Sequence, residues 1–326
     1  MTSMSDNLRD RINLDKPRYD QNTYSGRAKH FFITTNPLNL FATSDQLEQA
    51  KALVESYRKC QEPPGTKVDD LWKAKSLYDS AYHPDTKEKM MLIGRMSAQV
   101  PMNMTITGCM LTFYKTTPAV IFWQWINQTF NAIVNYTNRS GDSPIPKSQL
   151  GLSYVLATGG AVGTALGINS QIKRFPAIFA RFVPFCAVAA ANCINIPFMR
   201  SRELNDGIPV FGEDGNLVGE SKKAAQKAIR EVLISRNVMA APGMLLTAIC
   251  MNRLERTSKV LRKYPIMNPF YQVGLVGVFL LFATPLCCAL FPQKSSIHAS
   301  KLEDDLQEKI KSMGKPIERV YFNKGL

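Results

Sequence analysis

Charge and apolar character are segregated along this chain. Residues 1–95 are polar and densely charged, and their longest charge-free run lies between Lys29 and Asp45. Beyond Arg95 the charges retreat into short clusters. No Asp, Glu, Lys or Arg falls in 96–114, 116–138, 148–172, 182–199, 237–252 or 264–293. A membrane-crossing helix needs roughly 20 mostly apolar residues, and several of these runs meet or approach that length. The pattern predicts an all-α, polytopic helical membrane protein with about five transmembrane helices and a helical, soluble N-terminal region. The expected division is 1–96 soluble, 97–291 transmembrane and 292–326 a C-terminal tail.

Within the N-terminal region, Thr43 and Gln46 have capping-box spacing, and Leu47, Ala50, Val54 and Tyr57 recur on one face, predicting a helix from Asp45 to Cys60. Pro63-Pro64-Gly65 marks a loop, and a second helix is expected from Asp70 to Tyr82. Pro84 cannot continue that helix and biases His83 away from helical angles. Asp85 and Glu88 then have D-x-x-E spacing. With Met90, Ile93, Ser97 and Val100 on one face, they predict a new helix, so YHPDTKEK (82–89) reads as a corner between two helices.

The five apolar segments are read as 97–114, 149–170, 175–197, 233–252 and 270–291. In 149–170, Gly159, Gly163 and Gly167 recur every fourth residue beside Ala157, Ala161 and Ala165, a helix-packing signal. The run 118–137 differs. Gln124, Asn127, Gln128, Asn131, Asn135 and Asn138 face away from Phe122, Trp125, Phe130, Ile133 and Val134. Such a helix lies in the membrane interface or lines a polar cavity, and it is not counted among the five. Residues 201–232 form a hydrophilic connection, read as a hairpin around Asp214-Gly215 followed by a short helix.

The formal net charge of +14 raises the question of nucleic acid. The cations sit in short loops between apolar runs, as in RLERTSKVLRK (253–263), a distribution that suits a bilayer surface, and no nucleic-acid module is recognisable. Six of the seven cysteines lie in apolar segments and none forms CxxC, so neither a disulfide framework nor a metal site is expected; they read as small buried hydrophobes. The N-terminus has no secretory apolar core, and Asp6, Asp10, Asp15 and Asp20 make it unlike a transit peptide. There is no P-loop, GxGxxG, nucleophile elbow or HExxH, so no enzyme and no cofactor are expected.

Two constellations carry candidate chemistry. His83 beside Asp85 has the makings of an acid–base pair or half a metal site, but no second ligand accompanies it at the right spacing. The structural reading, a corner, competes with a gating role for His83, Pro84, Asp85 and Thr86. The second constellation is Asn192 and Asn195, on one helix face, followed by Pro197 and Arg200. Pro197 frees the Cys193 carbonyl, so the helix is expected to kink or unwind there. Exposed carbonyls and two amides make a small polar site; alternatively the asparagines only cap a weakened helix. Arg181, in an apolar segment, is expected to snorkel or face the bundle interior.

Three stretches, DKPRYDQNTYSGRAKHFF (15–32), DDLWKAKSLYDSAYHPDTKEKM (69–90) and AANCINIPFMRSREL (190–204), resemble the sideroflexins, with HPDT at 83–86 as the family tetrapeptide. The likeness runs over nearly the whole chain. It implies a multi-pass protein of the mitochondrial inner membrane that transports serine, and other small neutral amino acids such as alanine and cysteine, for one-carbon metabolism. The older family label implies a tricarboxylate (citrate) carrier, and a non-transporting scaffold linked to iron homeostasis is a further alternative. Asn192, Asn195, Pro197 and Arg200 are then the expected substrate-binding residues. With five crossings the termini would face opposite sides, with the N-terminus in the matrix.

Overall fold

The computed structural model describes residues 11–83, 86–114, 116–138, 147–171, 177–312 and 317–325. In the N-terminal region, α1 (Tyr24–Thr34) is capped by Thr23, and a 3-10 turn spans Pro37–Phe41. Helices α2 (Ser44–Arg58) and α3 (Val68–Ala81) follow. The capping box forms as its spacing predicts: the Gln46 amide N–H donates to Thr43 Oγ1 at 3.3 Å and the Thr43 N–H to Gln46 Oε1 at 2.9 Å. Leu47, Ala50, Val54 and Tyr57 of α2 pack on Leu71, Ala74, Tyr78 and Ala81 of α3, so the apolar faces read from the sequence are those that meet.

No helix begins at Glu88. The chain instead makes a tight hairpin, with the His83 N–H donating to Glu88 O at 2.9 Å and the Met90 N–H to Ala81 O at 2.8 Å. Lys87 takes a left-handed backbone at φ 58°, which helix formation from Asp85 would forbid. Two 3-10 turns, Leu92–Gly94 and Met96–Ala98, lead into α4 (Gln99–Phe113).

Helix α5 (Thr117–Thr137) follows, then α6 (Lys147–Gln171), the short α7 (Ala177–Ala180) and α8 (Val183–Met199). A short α9 (Ser201–Asp206) leads to α10 (Lys222–Ala241). A π turn at Pro242–Leu246 joins α10 to α11 (Thr247–Thr257), after which come α12 (Lys259–Lys263) and α13 (Asn268–Cys288). Among the described residues, three helices are long and apolar enough to cross a membrane: Ser148–Gln171, Lys222–Thr257 and Pro265–Cys288. The second absorbs the short helix expected after the hairpin. Pro242-Gly243 does not break it, because a π turn widens the helix at that point; a Cβ on Gly243 would come within 3.0 Å of Leu280.

Side-chain contacts fix the direction of each pass. Gly108 lies on Val273 and Gly277 on Met104, so α4 and α13 are antiparallel. Gln124 Nε2, in the first half of α5, donates to Tyr114 Oη just past the end of α4 at 2.8 Å, and Asn138 Nδ2, just past the end of α5, to Gly94 O before the start of α4 at 2.8 Å. Helix α5 therefore runs the full length of α4 and adds a pass to the five apolar segments. Gln149 at the start of α6 donates to the Phe198 and Met199 carbonyls at the end of α8, both at 3.0 Å. At the far end Arg181 pairs with Glu255 at 2.5 Å, which answers how this arginine is accommodated. Among the described residues six helical stretches thus run along the bundle, α4, α5, α6, α8, α10–α11 and α13, so the first begins and the last ends at the same end of it.

That end is closed by α13. The carbonyls of its last turn and of the residues just beyond are poorly served by the helix itself, and side chains from three distant segments reach them. Tyr24 Oη donates to Leu286 O at 3.2 Å, Ser235 Oγ to Cys287 O at 2.5 Å, Arg27 Nε to Ala289 O at 2.8 Å and Lys324 Nζ to Phe291 O at 3.3 Å. Two of the four donors are cations, favoured at the negative end of a helix.

The C-terminal segment carries strands and a helix of its own. Strands β1 (Ile208–Phe211) and β2 (Leu217–Ser221) form the expected hairpin. They join β3 (Lys294–His298) and β4 (Arg319–Asn323) in an antiparallel sheet of order β2-β1-β4-β3. Helix α14 (Asp304–Ser312) and the start of α10 pack on it around Val210, Val218, Ala224, Ala228, Leu306, Val320 and Phe322. Glu303 holds α10 to this unit, accepting from Ser221 Oγ and the Lys223 N–H, each at 2.8 Å. Burial alone would raise its carboxyl pKa; the N–H groups of Lys223, Glu303 and Lys222 and the Ser221 hydroxyl outweigh that and hold it below the usual range. The fold is thus mainly helical, as expected, with a small sheet appended.

Helices α6 and α8 make close contact through alanine. Ala157, Ala161 and Ala165 are fully buried, as are Ala187 and Ala191 opposite them. The glycine row expected to mediate packing faces away: a Cβ on Gly159, Gly163 or Gly167 would meet nothing within 4 Å. Positions two apart differ by about 200° around a helix, so the two small-residue rows lie on opposite sides. The cysteines are free, but only Cys287 is buried, and Cys193 lies exposed on the bundle's outer face.

Candidate functional site

The middle of the bundle holds a layer of neutral polar side chains. Helix α5 is inverted relative to a soluble amphipathic helix. Phe122 and Trp125 are about half exposed, while Gln124, Asn127 and Gln128 are 0%, 4% and 2% exposed. These three share one turn, so they lie on one face. Of the two expectations for this helix, an inward polar lining is the one the burial matches.

Three of the amide atoms are orphaned. Gln124 Oε1, Asn127 Nδ2 and Gln128 Nε2 are buried and have no protein partner among the described residues. An unsatisfied buried polar group costs about 1–3 kcal/mol, so one turn of α5 carries roughly 3–9 kcal/mol of unpaired polarity. Apolar residues there would avoid that cost. Thr247 Oγ1, just past the π turn, is orphaned too. The turn itself is central, because Met244 packs with Met110, Phe130 and Val188.

Helix α8 brings the sequence-predicted asparagines to the same layer. Val120 packs with Val183 and Ala187, and Asn135 Nδ2 reaches Met199 Sδ at 3.2 Å. These contacts set α5 and α8 parallel. Equal helical rise then places Gln128 at the height of Asn192, and Asn131 at that of Asn195. Asn192 Nδ2 donates to Asn237 Oδ1 of α10 at 2.9 Å. Asn195 is buried on the row of Ala187 and Ala191 and has no hydrogen-bond partner among the described residues. By height, the layer takes in Gln124, Asn127 and Gln128 from α5, Asn192 and Asn195 from α8, and, through its bond to Asn192, Asn237 from α10; Asn195 faces α6 within it. None of these is charged.

The other two members of the expected site lie apart from this layer. The helix does not unwind at Pro197: it stays helical to Met199, and the Arg200 N–H donates to Ile196 O at 3.1 Å. Pro197 lies in the last turn, where one lost hydrogen bond is easily borne. Arg200 leaves the bundle altogether. Its Nε is 3.0 Å from both Glu203 carboxylate oxygens, and its NH1 donates to Lys324 O at 2.9 Å. It joins α9 to the C-terminal segment.

Around HPDT the chain turns a corner, with the His83 N–H bonded to Glu88 O; Pro84 and Asp85 lie outside the described residues. His83 is 7% exposed. Its Nδ1 accepts the Thr86 N–H at 3.2 Å, and its carbonyl accepts the Lys87 N–H at 3.0 Å. Beside it, Tyr82 stacks on Tyr78 and donates to Glu48 at 2.7 Å. Burial first, then that hydrogen bond, push the phenol to about 12. Arg95 holds the far side of the corner through Met90 O, at 3.2 Å. His83→Ala is expected to lower the folded yield several-fold while leaving substrate affinity unchanged in the protein that does insert. Correctly inserted, abundant variant with a raised KM for its substrate would show a gating role instead.

The sequence showed the amides of α5 by their spacing, but not that they face inward; their orphaned atoms are visible only in three dimensions. The chain matches the family model described as Sideroflexins over residues 13–326. It is 60% identical to Sideroflexin-1 of Homo sapiens and to that of Sus scrofa, over 99% of this chain and 100% of each relative. It is 58% identical to Sideroflexin-3 of Mus musculus, over 97% of this chain and 98% of the relative. No solved structure matches.

Proposed function

Because the chain belongs to the sideroflexin family, we propose that this multi-pass membrane protein carries serine, with alanine and cysteine as further substrates, across the mitochondrial inner membrane to supply one-carbon metabolism. It performs no covalent chemistry in this reading. The observation that supports it is the uncharged amide layer with its orphaned donors and acceptor. A zwitterion needs an acceptor for its ammonium and donors for its carboxylate. Gln124 Oε1 is suited to the first, and Asn127 Nδ2 and Gln128 Nε2 to the second. Asn195 and Thr247 remain for a side-chain hydroxyl. Citrate, a trianion, would require cations, and the layer has none. Discontinuous or widened helices at the midplane are a recurring device for exposing such sites, and the π turn at Pro242–Leu246 is one.

The test is uptake of labelled L-serine by purified protein in liposomes, with alanine and citrate as competitors. Saturable uptake blocked by alanine and not by citrate is expected. Gln128→Leu is expected to cut serine uptake about tenfold, the size of one lost hydrogen bond to a charged ligand group, and Asn195→Ala about fivefold, the size of one to a neutral hydroxyl, with the protein still in the membrane. Undiminished uptake in both variants would remove this layer as the site. No uptake by folded wild-type protein would move the reading to a scaffold.

A further inference from the structure

A second concave site lies outside the bundle, between the first two turns of α10 and the edge strand β3. Its volume is about 550 Å³, and its walls carry Lys223, Lys227, Arg230, His298, Lys301 and Arg319 with no Asp or Glu among the lining residues. Lys223, Lys227 and Arg230 are spaced i, i+4, i+7 and so project from one helix face. Several of the cations are held against the walls. Lys223 Nζ donates to Leu302 O at 3.1 Å, Lys227 Nζ to Ser296 O at 2.5 Å, and Arg319 NH1 to Ser296 Oγ at 3.2 Å. Compensation by carboxylates is slight: Glu231 stands 3.7 Å from Lys227, and Glu318, largely exposed, 3.4 Å from His298. Arg230 and Lys301, both exposed, have no hydrogen bond or ion pair among the described residues. Five permanent cations converge on one concavity, which suits an anion of high charge density.

Its position says which anion. Helix α10 runs without a break into the membrane-crossing helix Lys222–Thr257, and Arg230 stands just before the apolar part. On the opposite wall, β3 begins at Lys294, six residues after α13 ends at Cys288. From Lys223 to Arg230 the helix rises about 10 Å. The polar headgroup layer is about 5–8 Å deep on each side of a bilayer, so the Arg230 end of the cation row falls at its level and the Lys223 end stands just beyond it. No Phe, Tyr or Trp lines the groove to stack a nucleotide base. We propose that this groove binds the phosphate groups of an anionic phospholipid headgroup, pinning the C-terminal unit to the membrane surface. The inference is independent of what the bundle carries.

The test uses the full chain in phosphatidylcholine vesicles with or without phosphatidylglycerol, followed by extraction and mass analysis of the phospholipid retained per protein. Wild-type protein is expected to retain phosphatidylglycerol in preference to phosphatidylcholine. One cation at an anionic surface contributes about 1 kcal/mol, about fivefold in affinity. The double variant Arg230→Gln, Lys301→Gln is then expected to bind roughly 25-fold more weakly. Lys259→Gln, in the basic loop at the opposite end, is expected to leave retention unchanged. Equal retention by wild type and double variant, with matching thermal melts, overturns the proposal. So does release of the lipid by inorganic pyrophosphate at equimolar concentration, which would make the groove a soluble-phosphate site.

Discussion

Ala161→Leu is expected to prevent α6 and α8 from docking and to yield little monodisperse protein. Ala161 has no exposed surface and packs with Ala157 and Ala191. Leucine adds three carbons at a point where two helix backbones approach across single methyl groups. Overpacking a tight core costs about 1–3 kcal/mol and occasionally more; with alanine on both sides there is no flexible side chain to give way, so the cost should sit at the upper end, about 3 kcal/mol. The companion is Gly163→Leu, half a turn away, where a new Cβ meets nothing. That change replaces a poor helix former, which should stabilise the helix by up to about 1 kcal/mol. Thermal melts of the two variants in detergent make the comparison. Similar melting of Ala161→Leu and wild type would show that the alanine contact is not what joins these helices.

Arg27→Met should release the N-terminal region from the bundle. The guanidinium is 7% exposed and donates to three carbonyls: Ala289 O at 2.8 Å, and Gln21 O and Asn22 O at 3.0 Å. Hydrogen bonds from a charged donor contribute about 1.5–3 kcal/mol each. Removing all three while methionine keeps the apolar stem should cost at least about 3 kcal/mol, because the carbonyls left behind are partly enclosed. Chymotrypsin cleavage after Phe31 and Phe32, within α1, should quicken more than tenfold, while cleavage in the transmembrane helices stays slow. Arg27→Lys should restore part of the protection, since an ammonium reaches one carbonyl and not three. Unchanged cleavage of Arg27→Met would mean that α1 is held by its apolar contacts alone.

How far the sequence reaches depends on how local the cause is. The α2 capping box spans four residues, and the hairpin around Asp214-Gly215 needs only a glycine that tolerates φ +79°; both are written in neighbouring positions. Strand β4 is different, because Tyr321 and Phe211 pair across more than a hundred residues and neither stretch is distinctive alone. The hairpin after His83 was hidden by D-x-x-E spacing that suits a helix start equally well. In 149–170 two small-residue rows had equal claim to the interface, and only the position of α8 chooses alanine. The site divides in the same way. Asn192 and Asn195 were legible as amides in an apolar run. That Arg200 stands apart from the amides was not legible, because its partner Lys324 O lies 124 residues away. The amides of α5 dilute its hydropathy, so the feature that makes the helix interesting also disguises it as something other than a pass.

The closure at the end of α13 also sets an order of events. Tyr24 and Leu286, and likewise Arg27 and Ala289, are 262 residues apart in the chain. Contacts of such long sequence separation form late. The first helix made therefore has no docking surface until the last membrane helix has been synthesised and inserted. Throughout biogenesis the N-terminal region waits unlatched, and the finished protein is sealed by its own final turn.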